Sequence, residues 1–183
     1  MKLFLRLKNF KFKNFLLISS YEKKIILKWR NNFRVRKWMD NKKKISLLEH
    51  NNFLKKLKNN KDKIYFLIFR KDKRVGVLTL NNVINNQAKI GFYISPFLKK
   101  REVVLEILYY SLMFCFKKLN LVKIYGYSEK ENKVANKLNI LLQIKLKSTK
   151  KYKNKYLGYL SKKNWETNVE KDSVLRKYLH YLK

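Results

Sequence analysis

Few residues in this chain have the types and spacing that catalysis usually requires. Its two histidines, His50 and His180, stand far apart, and neither belongs to an H-E-x-x-H pair, so each reads as a polar residue on a helix surface. Neither a phosphate-binding G-x-x-x-x-G-K loop nor a dinucleotide G-x-G-x-x-G fingerprint occurs. The lone Cys115 sits in the apolar run Leu112-Met113-Phe114-Cys115-Phe116, which makes it a core thiol in a reducing compartment and excludes a disulfide framework. The 12 acidic residues show no pair in a glycosidase-like context, and a metal site is not expected. Any chemistry must therefore rest on backbone donors, cations and shape. One run of cations matters here: Lys99-Lys100-Arg101 precedes Glu102-Val103-Val104, where a helix should begin. Positive charges oppose the dipole at a helix N-terminus, so the run is either a solvated basic turn or the receptor of an anion.

The elements that must position these residues come from a chain of 183 residues, 46% apolar and 15% aromatic, which suffices for one domain with an ordinary core. The formal net charge of +34 suggests nucleic acid or an anionic surface as a partner. Only eight of the 46 basic residues are arginine, glycine and proline are scarce, and lysine spreads through nearly every segment. That pattern fits AT-rich coding and a solvated surface, leaving nucleic acid as the second choice. No apolar stretch reaches the roughly 18 to 20 residues of a membrane span, and Lys8, Lys11 and Lys13 interrupt the start, so a cytoplasmic protein is expected.

Periodicity supplies the order. Phe10 to Ile18 reads as a strand, and Ser19-Ser20 then caps a helix from Tyr21 to Asn31. Ser46 and Glu49 form a capping box for a second helix running to about Asn59. Ile64 to Phe69 and Val75 to Leu80 make an antiparallel hairpin, followed by a strand from Ala88 to Ile94. A helix from Glu102 to Leu119, a strand from Val122 to Tyr127, a helix from Asn132 to Leu142 and strands at Gln143 to Lys147 and Tyr156 to Leu160 complete a mixed α/β (α+β) layer fold. An amphipathic helix carrying Val169, Val174, Leu175, Tyr178 and Leu182 follows from Trp165.

This order resembles the GNAT acyl-CoA N-acyltransferase fold, over residues 10–161 as a single domain, with 1–9 an N-terminal extension and 162–183 a C-terminal helical tail. Lys28-Trp29-Arg30-Asn31 and Val35-Arg36-Lys37-Trp38-Met39 are similar to the first-helix signature of nucleotide-sugar N-acetyltransferases, including that of pseudaminic acid synthesis. Lys63 to Leu67 and Gly91-Phe92-Tyr93-Ile94-Ser95-Pro96 carry the same likeness. Asn132-Lys133-Val134-Ala135-Asn136-Lys137-Leu138-Asn139 is similar to the family pattern Asn-x-x-Ala-x-x-Leu-Tyr, except that Asn139 stands for the tyrosine. The glycines usual in the pyrophosphate loop are missing from Lys99 to Val104, and Gln143 stands where a glycine is common.

The resemblance implies acetyl-CoA as cosubstrate, without a metal. Its carbonyl would meet amides around Phe92 to Ile94, and its pyrophosphate would meet Lys99, Lys100, Arg101, Glu102, Val103 and Val104. Its pantetheine arm would lie along Asn132, Ala135 and Asn139. Arg30, Asn31, Arg36, Trp38 and Met39 would face a nucleotide-sugar acceptor, with Trp29 in the core. The sugar amine would attack the thioester directly, with Glu129 as base, Ser128 or Tyr93 as relay, and water or Tyr127 protonating the thiolate. Glu129 is equally well read as a loop carboxylate paired with lysines. A monomer or homodimer is expected. The alternatives are a basic RNA- or ribosome-associated protein on the same fold, or a transferase acting on a protein amine.

Overall fold

The computed structural model describes residues 4–100 and 102–181; Arg101 of the basic run and Leu182 of the C-terminal stripe lie outside the described residues. In chain order the strands are β1 (Phe4–Leu7), β2 (Phe10–Asn14), β3 (Ile64–Arg70), β4 (Lys73–Ile84), β5 (Gln87–Ile94), β6 (Lys123–Glu129), β7 (Lys145–Ser148) and β8 (Lys155–Ser161). The helices are α1 (Ser20–Asn31), α2 (Phe33–Arg36), α3 (Leu47–Lys58), α4 (Val103–Met113), α5 (Lys133–Leu141), α6 (Lys162–Asn164) and α7 (Ser173–Tyr181). The strand order is β1-β2-β3-β4-β5-β6-β8-β7, the mixed architecture the sequence predicts. The chain divides into two compact units, one comprising residues up to Val83 with Gly91–Lys99, the other Ile84–Ile90 with residues from Lys100 onward.

In the first unit both long helices start where the sequence places their caps. Ser19 and Glu22 exchange side-chain and backbone hydrogen bonds at α1, and Ser46 and Glu49 do the same at α3. The expected strand from Phe10 ends at Asn14, whose side chain accepts from the Leu16 amide and turns the chain into a 3-10 turn at Phe15–Leu17. Residues 4–7, which periodicity does not single out, form β1 and pair antiparallel with β2. Lys71 and Asp72 take positive φ values of 44° and 59°, as a two-residue hairpin loop between β3 and β4 requires. Past that loop the register slips by one residue, so that Val75 bulges from β4 and its carbonyl accepts from the Ser95 amide at 2.9 Å. Trp29, Ile26, Leu54, Leu57, Leu67, Phe69 and Val77 pack into one core, in agreement with the packing role expected of Trp29.

His50 departs from expectation: it is 5% exposed, not on the surface. It precedes Leu54 and Leu57 by one and two helical turns, on the α3 stripe that faces the core. Its Nε2 is buried without a hydrogen-bond partner, and burial holds its pKa below the usual histidine value although the Lys23 backbone opposes this.

In the second unit Asn85 and Asn86, both at positive φ, turn the chain into β5. Gln87–Lys89 of β5 pair parallel with Lys123–Tyr125 of β6, and β6 pairs antiparallel with β8 along its whole length. The long predicted helix is α4 followed by a π-helical turn at Phe114–Lys118, in which the Leu119 amide reaches back to the Phe114 carbonyl at 3.1 Å. Trp165 is fully buried, its ring 4.9 Å from that of Tyr109 and 5.8 Å from that of Phe116. The segment from Trp165 is a second π-helical turn followed by α7, and it adds Val169, Leu175 and Leu179 to the core of this unit. Cys115 is buried as expected, and burial pushes its thiol pKa up.

Candidate active site

The candidate residues of the first unit gather at the end of α1 and along α2. Asn31 clips the backbone of Ile45 in both directions, donating to its carbonyl at 2.7 Å and accepting from its amide at 2.8 Å. Arg30 Nη2 donates to the Asn41 carbonyl, and Arg36 Nη1 donates to the Lys42 carbonyl at 2.8 Å. These three residues thus pin the backbone between Asn41 and Ile45 against α1 and α2. Each arginine keeps a further donor, Arg30 Nη1 and Arg36 Nε, buried without a hydrogen-bond partner. A buried guanidinium donor left unmatched is costly, and an anion or carbonyl oxygen would satisfy it.

Burial lowers the pKa of Arg30, Tyr93 opposes that shift and Arg36 adds to it, so the two guanidinium groups and the Tyr93 hydroxyl form one electrostatic group. Burial pushes the Tyr93 hydroxyl well up, Arg30 opposes the shift and Tyr65 reinforces it. Tyr93 is therefore a neutral hydrogen-bond donor and not a base. Trp38 and Met39 are half-buried, with Lys37 Nζ 4.8 Å from the Trp38 ring centroid. Phe92 and Ile94 are half-exposed, and Lys99 is exposed. Gly91 allows β5 to pass close to β4, since a Cβ there would stand 2.6 Å from Thr79 Oγ1.

In the second unit a residue that the motif did not single out ties Ser128 to the backbone of Glu129 and Lys130. Asn136 is 7% exposed; its Oδ1 accepts from the Ser128 hydroxyl at 2.7 Å, and its Nδ2 donates to the carbonyls of Glu129 and Lys130. One amide side chain therefore fixes the turn from β6 into α5. The only sequence signal for this role is an asparagine one helical turn after Asn132, inside an otherwise ordinary helix. Asn132 caps α5, accepting from the Ala135 amide at 3.2 Å. Glu129 accepts from Asn154 Nδ2 at 2.8 Å and lies 3.6 Å from Lys155 Nζ, which keeps its carboxylate paired at the end of β6.

At the start of α4, Glu102 occupies the N-cap position without a side-chain capping bond, and its carbonyl accepts from the Tyr178 hydroxyl of α7 at 3.1 Å. Lys100 is exposed, Val103 buried and Val104 half-buried. Asn139 is half-exposed, and its carbonyl accepts from the Ile144 amide at 2.9 Å. With the Gln143 amide bonded to Ile140, this closes α5 in the geometry that glycine usually completes. Among the described residues no group of three or more His, Cys, Asp or Glu side chains could hold a metal ion, and no helix is long and apolar enough to cross a membrane.

Comparison with known proteins points to one class. The family described as an acetyltransferase (GNAT) domain matches residues 18–138, which include the arginine pair, β3 to β6 and most of α5. The chain belongs to the GNAT acetyltransferase family. Within it, the chain is 35% identical over 130 residues to acetyltransferase PseH of Campylobacter jejuni subsp. jejuni serotype O:23/36 (strain 81-176), covering 70% of this chain and 80% of that protein. The crystal structure of Campylobacter jejuni N-acetyltransferase PseH in complex with acetyl coenzyme A matches with TM-score 0.69 and 30% identity over 83% of this chain and 98% of that one. Spermidine N-acetyltransferase from Vibrio cholerae, in complex with CoA and spermine, shares the fold at TM-score 0.75 and 16% identity, covering 88% of this chain and 100% of that one.

Proposed function

We propose that this protein transfers the acetyl group of acetyl-CoA to the 4-amino group of a sugar carried on a nucleoside diphosphate, in a pathway of the pseudaminic acid type within the cytoplasm. The observation that carries the acceptor class is the pair of guanidinium groups at Arg30 and Arg36, each with a buried donor that has no partner in the protein. A diphosphate supplies several oxygens to such a pair, whereas a polyamine or a protein N-terminus brings positive charge toward it. The likeness to PseH and to its acetyl-CoA complex supports the same reading.

In this reading the amides of Phe92 to Ile94 polarise the thioester carbonyl. The start of α4, which has no side-chain cap and follows the run Lys99-Lys100-Arg101 in sequence, receives the pyrophosphate. Asn132 keeps Oδ1 on the Ala135 amide and turns Nδ2 to the pantetheine arm. Glu129, 3.6 Å from Lys155 Nζ, takes the proton that the sugar amine must lose before it attacks. Tyr93, kept neutral by burial, donates a hydrogen bond to the acceptor. Positioning supplies most of the rate enhancement, and CoA thiolate leaves with a proton from water or Tyr127.

The test is an acetyl-CoA assay offering a UDP-linked 4-amino-4,6-dideoxy sugar, spermidine and a protein N-terminal peptide as parallel acceptors. Release of CoA with the nucleotide sugar alone is the expected result. Acetylation of spermidine or peptide in its place contradicts the reading.

A further inference from the structure

Alternation along the strands of the second unit sorts their side chains onto two faces. Ala88, Ile124 and Leu160 are almost fully buried and define the core face. Residues directly opposite in register share a face, so the other side carries Lys123, Tyr125 and Tyr127 of β6 with Leu157 and Tyr159 of β8. Lys145 and Lys147 of β7 join them opposite Tyr159 and Leu157, and Lys89 of β5 joins them beside Tyr125. None of these side chains is buried. Lys123 Nζ and Lys147 Nζ lie 5.8 and 5.6 Å from the same Tyr159 ring centroid, and Lys89 Nζ lies 5.4 Å from that of Tyr127. Among the described residues of this face the carboxylate is Glu129, at the far end of β6 and already engaged by Asn154 and Lys155.

Coding bias accounts for lysines scattered singly, but not for the convergence of Lys123 and Lys147 on one tyrosine ring with so little acid among them. We propose that this lysine–tyrosine face binds single-stranded nucleic acid, an interaction beyond acetyl transfer. Lys123, Lys145 and Lys147 meet phosphates, and the rings of Tyr159 and Tyr125 stack on bases. An exposed lysine–ring contact is weaker than base–ring stacking, so an arriving base displaces each lysine from its ring onto the adjacent phosphate. A membrane would require a larger apolar wedge than Leu157 provides, and an acidic protein would leave the rings unused.

The experiment is fluorescence anisotropy of the full chain with an unstructured RNA of about 16 nucleotides across a salt series. Replacing Lys123, Lys145 and Lys147 together by Gln is expected to weaken binding about tenfold or more and to reduce the salt slope by about 2. The same triple change at the exposed Lys24, Lys61 and Lys63 of the first unit, equal in charge, is expected to change affinity less than about twofold. Tyr159→Leu is expected to weaken RNA about tenfold while leaving heparin binding unchanged. Equal weakening by the two triple variants, RNA binding indifferent to Tyr159→Leu, or preference for heparin or anionic vesicles over RNA would each overturn the proposal.

Discussion

The Ser128 hydroxyl and Asn136 Oδ1 are joined by a 2.7 Å hydrogen bond, and the same asparagine holds the carbonyls of Glu129 and Lys130. Ser128 and the backbone that leaves β6 are thereby held by one buried side chain. Asn136→Ala leaves a hydroxyl and two carbonyls unmatched, and should cost about 2–3 kcal/mol of stability in a denaturant titration. Asn136→Asp keeps the acceptor for Ser128 but sets a charge against two carbonyl oxygens, and should be at least as destabilising. Unchanged stability in either variant removes Asn136 as the organiser of the turn.

Gln143 sits at φ 55°, one residue past the C-cap of α5, in the conformation that glycine adopts without strain. Gln143→Gly relieves that strain and loses part of the gain to a looser unfolded chain, for a net stabilisation of about 0.5–1 kcal/mol. A thermal melt should show a rise of about 2 °C, and a fall would mean that the glutamine side chain makes a compensating contact.

Much of this architecture was legible because its signals are local. Ser46-x-x-Glu49 and Ser19 name their helix starts, and the helix from Asn132 follows from its periodic run. The roles of His50, Asn136 and Trp165 were not legible, because each is decided by what lies across the core. A histidine on an apolar stripe, an asparagine within a helix and a tryptophan in a tail have the same local sequence whether exposed or buried. The two π-helical turns escaped for a related reason: Phe116 of one packs against Trp165 of the other, a contact between segments far apart in sequence. At the candidate site, Arg30, Arg36 and Asn132 were singled out only by the family resemblance of their motifs. The carbonyls that Arg30, Arg36 and Asn31 hold, at Asn41, Lys42 and Ile45, lie in a loop with no periodic signal.

Two buried groups set the acid limb of stability in separate windows. His50 has a lowered folded pKa, so below its ordinary value of 6.5 the unfolded chain binds a proton that the folded chain refuses. Stability should therefore decline as pH falls from there toward the lowered folded value, and His50→Leu should abolish that portion of the slope. Glu22 comes later. Burial alone would raise its pKa, but Lys13, the Ser19 amide and Arg74 outweigh this and lower it. Its contribution is fully present above the ordinary value of 4.5 and is lost as pH falls through the depressed one, so Glu22→Gln should flatten only that more acidic window. Urea titrations across the range check both; slopes unaffected by the substitutions contradict the assignment.

Arg30→Ala removes the buried donor Nη1 and the tie to the Asn41 carbonyl. The KM for the nucleotide sugar should rise about tenfold or more, with the acetyl-CoA dissociation constant changed less than about twofold. Loss of both affinities in equal measure would assign Arg30 to the fold and not to the acceptor.

The central claim is that acetyl-CoA is held by this chain with its pantetheine arm at Asn132, and calorimetric titration of acetyl-CoA into the wild type and Asn132→Asp tests it most directly. Aspartate still accepts from the Ala135 amide and still caps α5, so the helix survives while the donor Nδ2 becomes an anionic oxygen. One-site binding by the wild type, weakened about tenfold or more in the variant, is the expected result. Absence of binding by the wild type, or equal affinity in the two proteins, would contradict it.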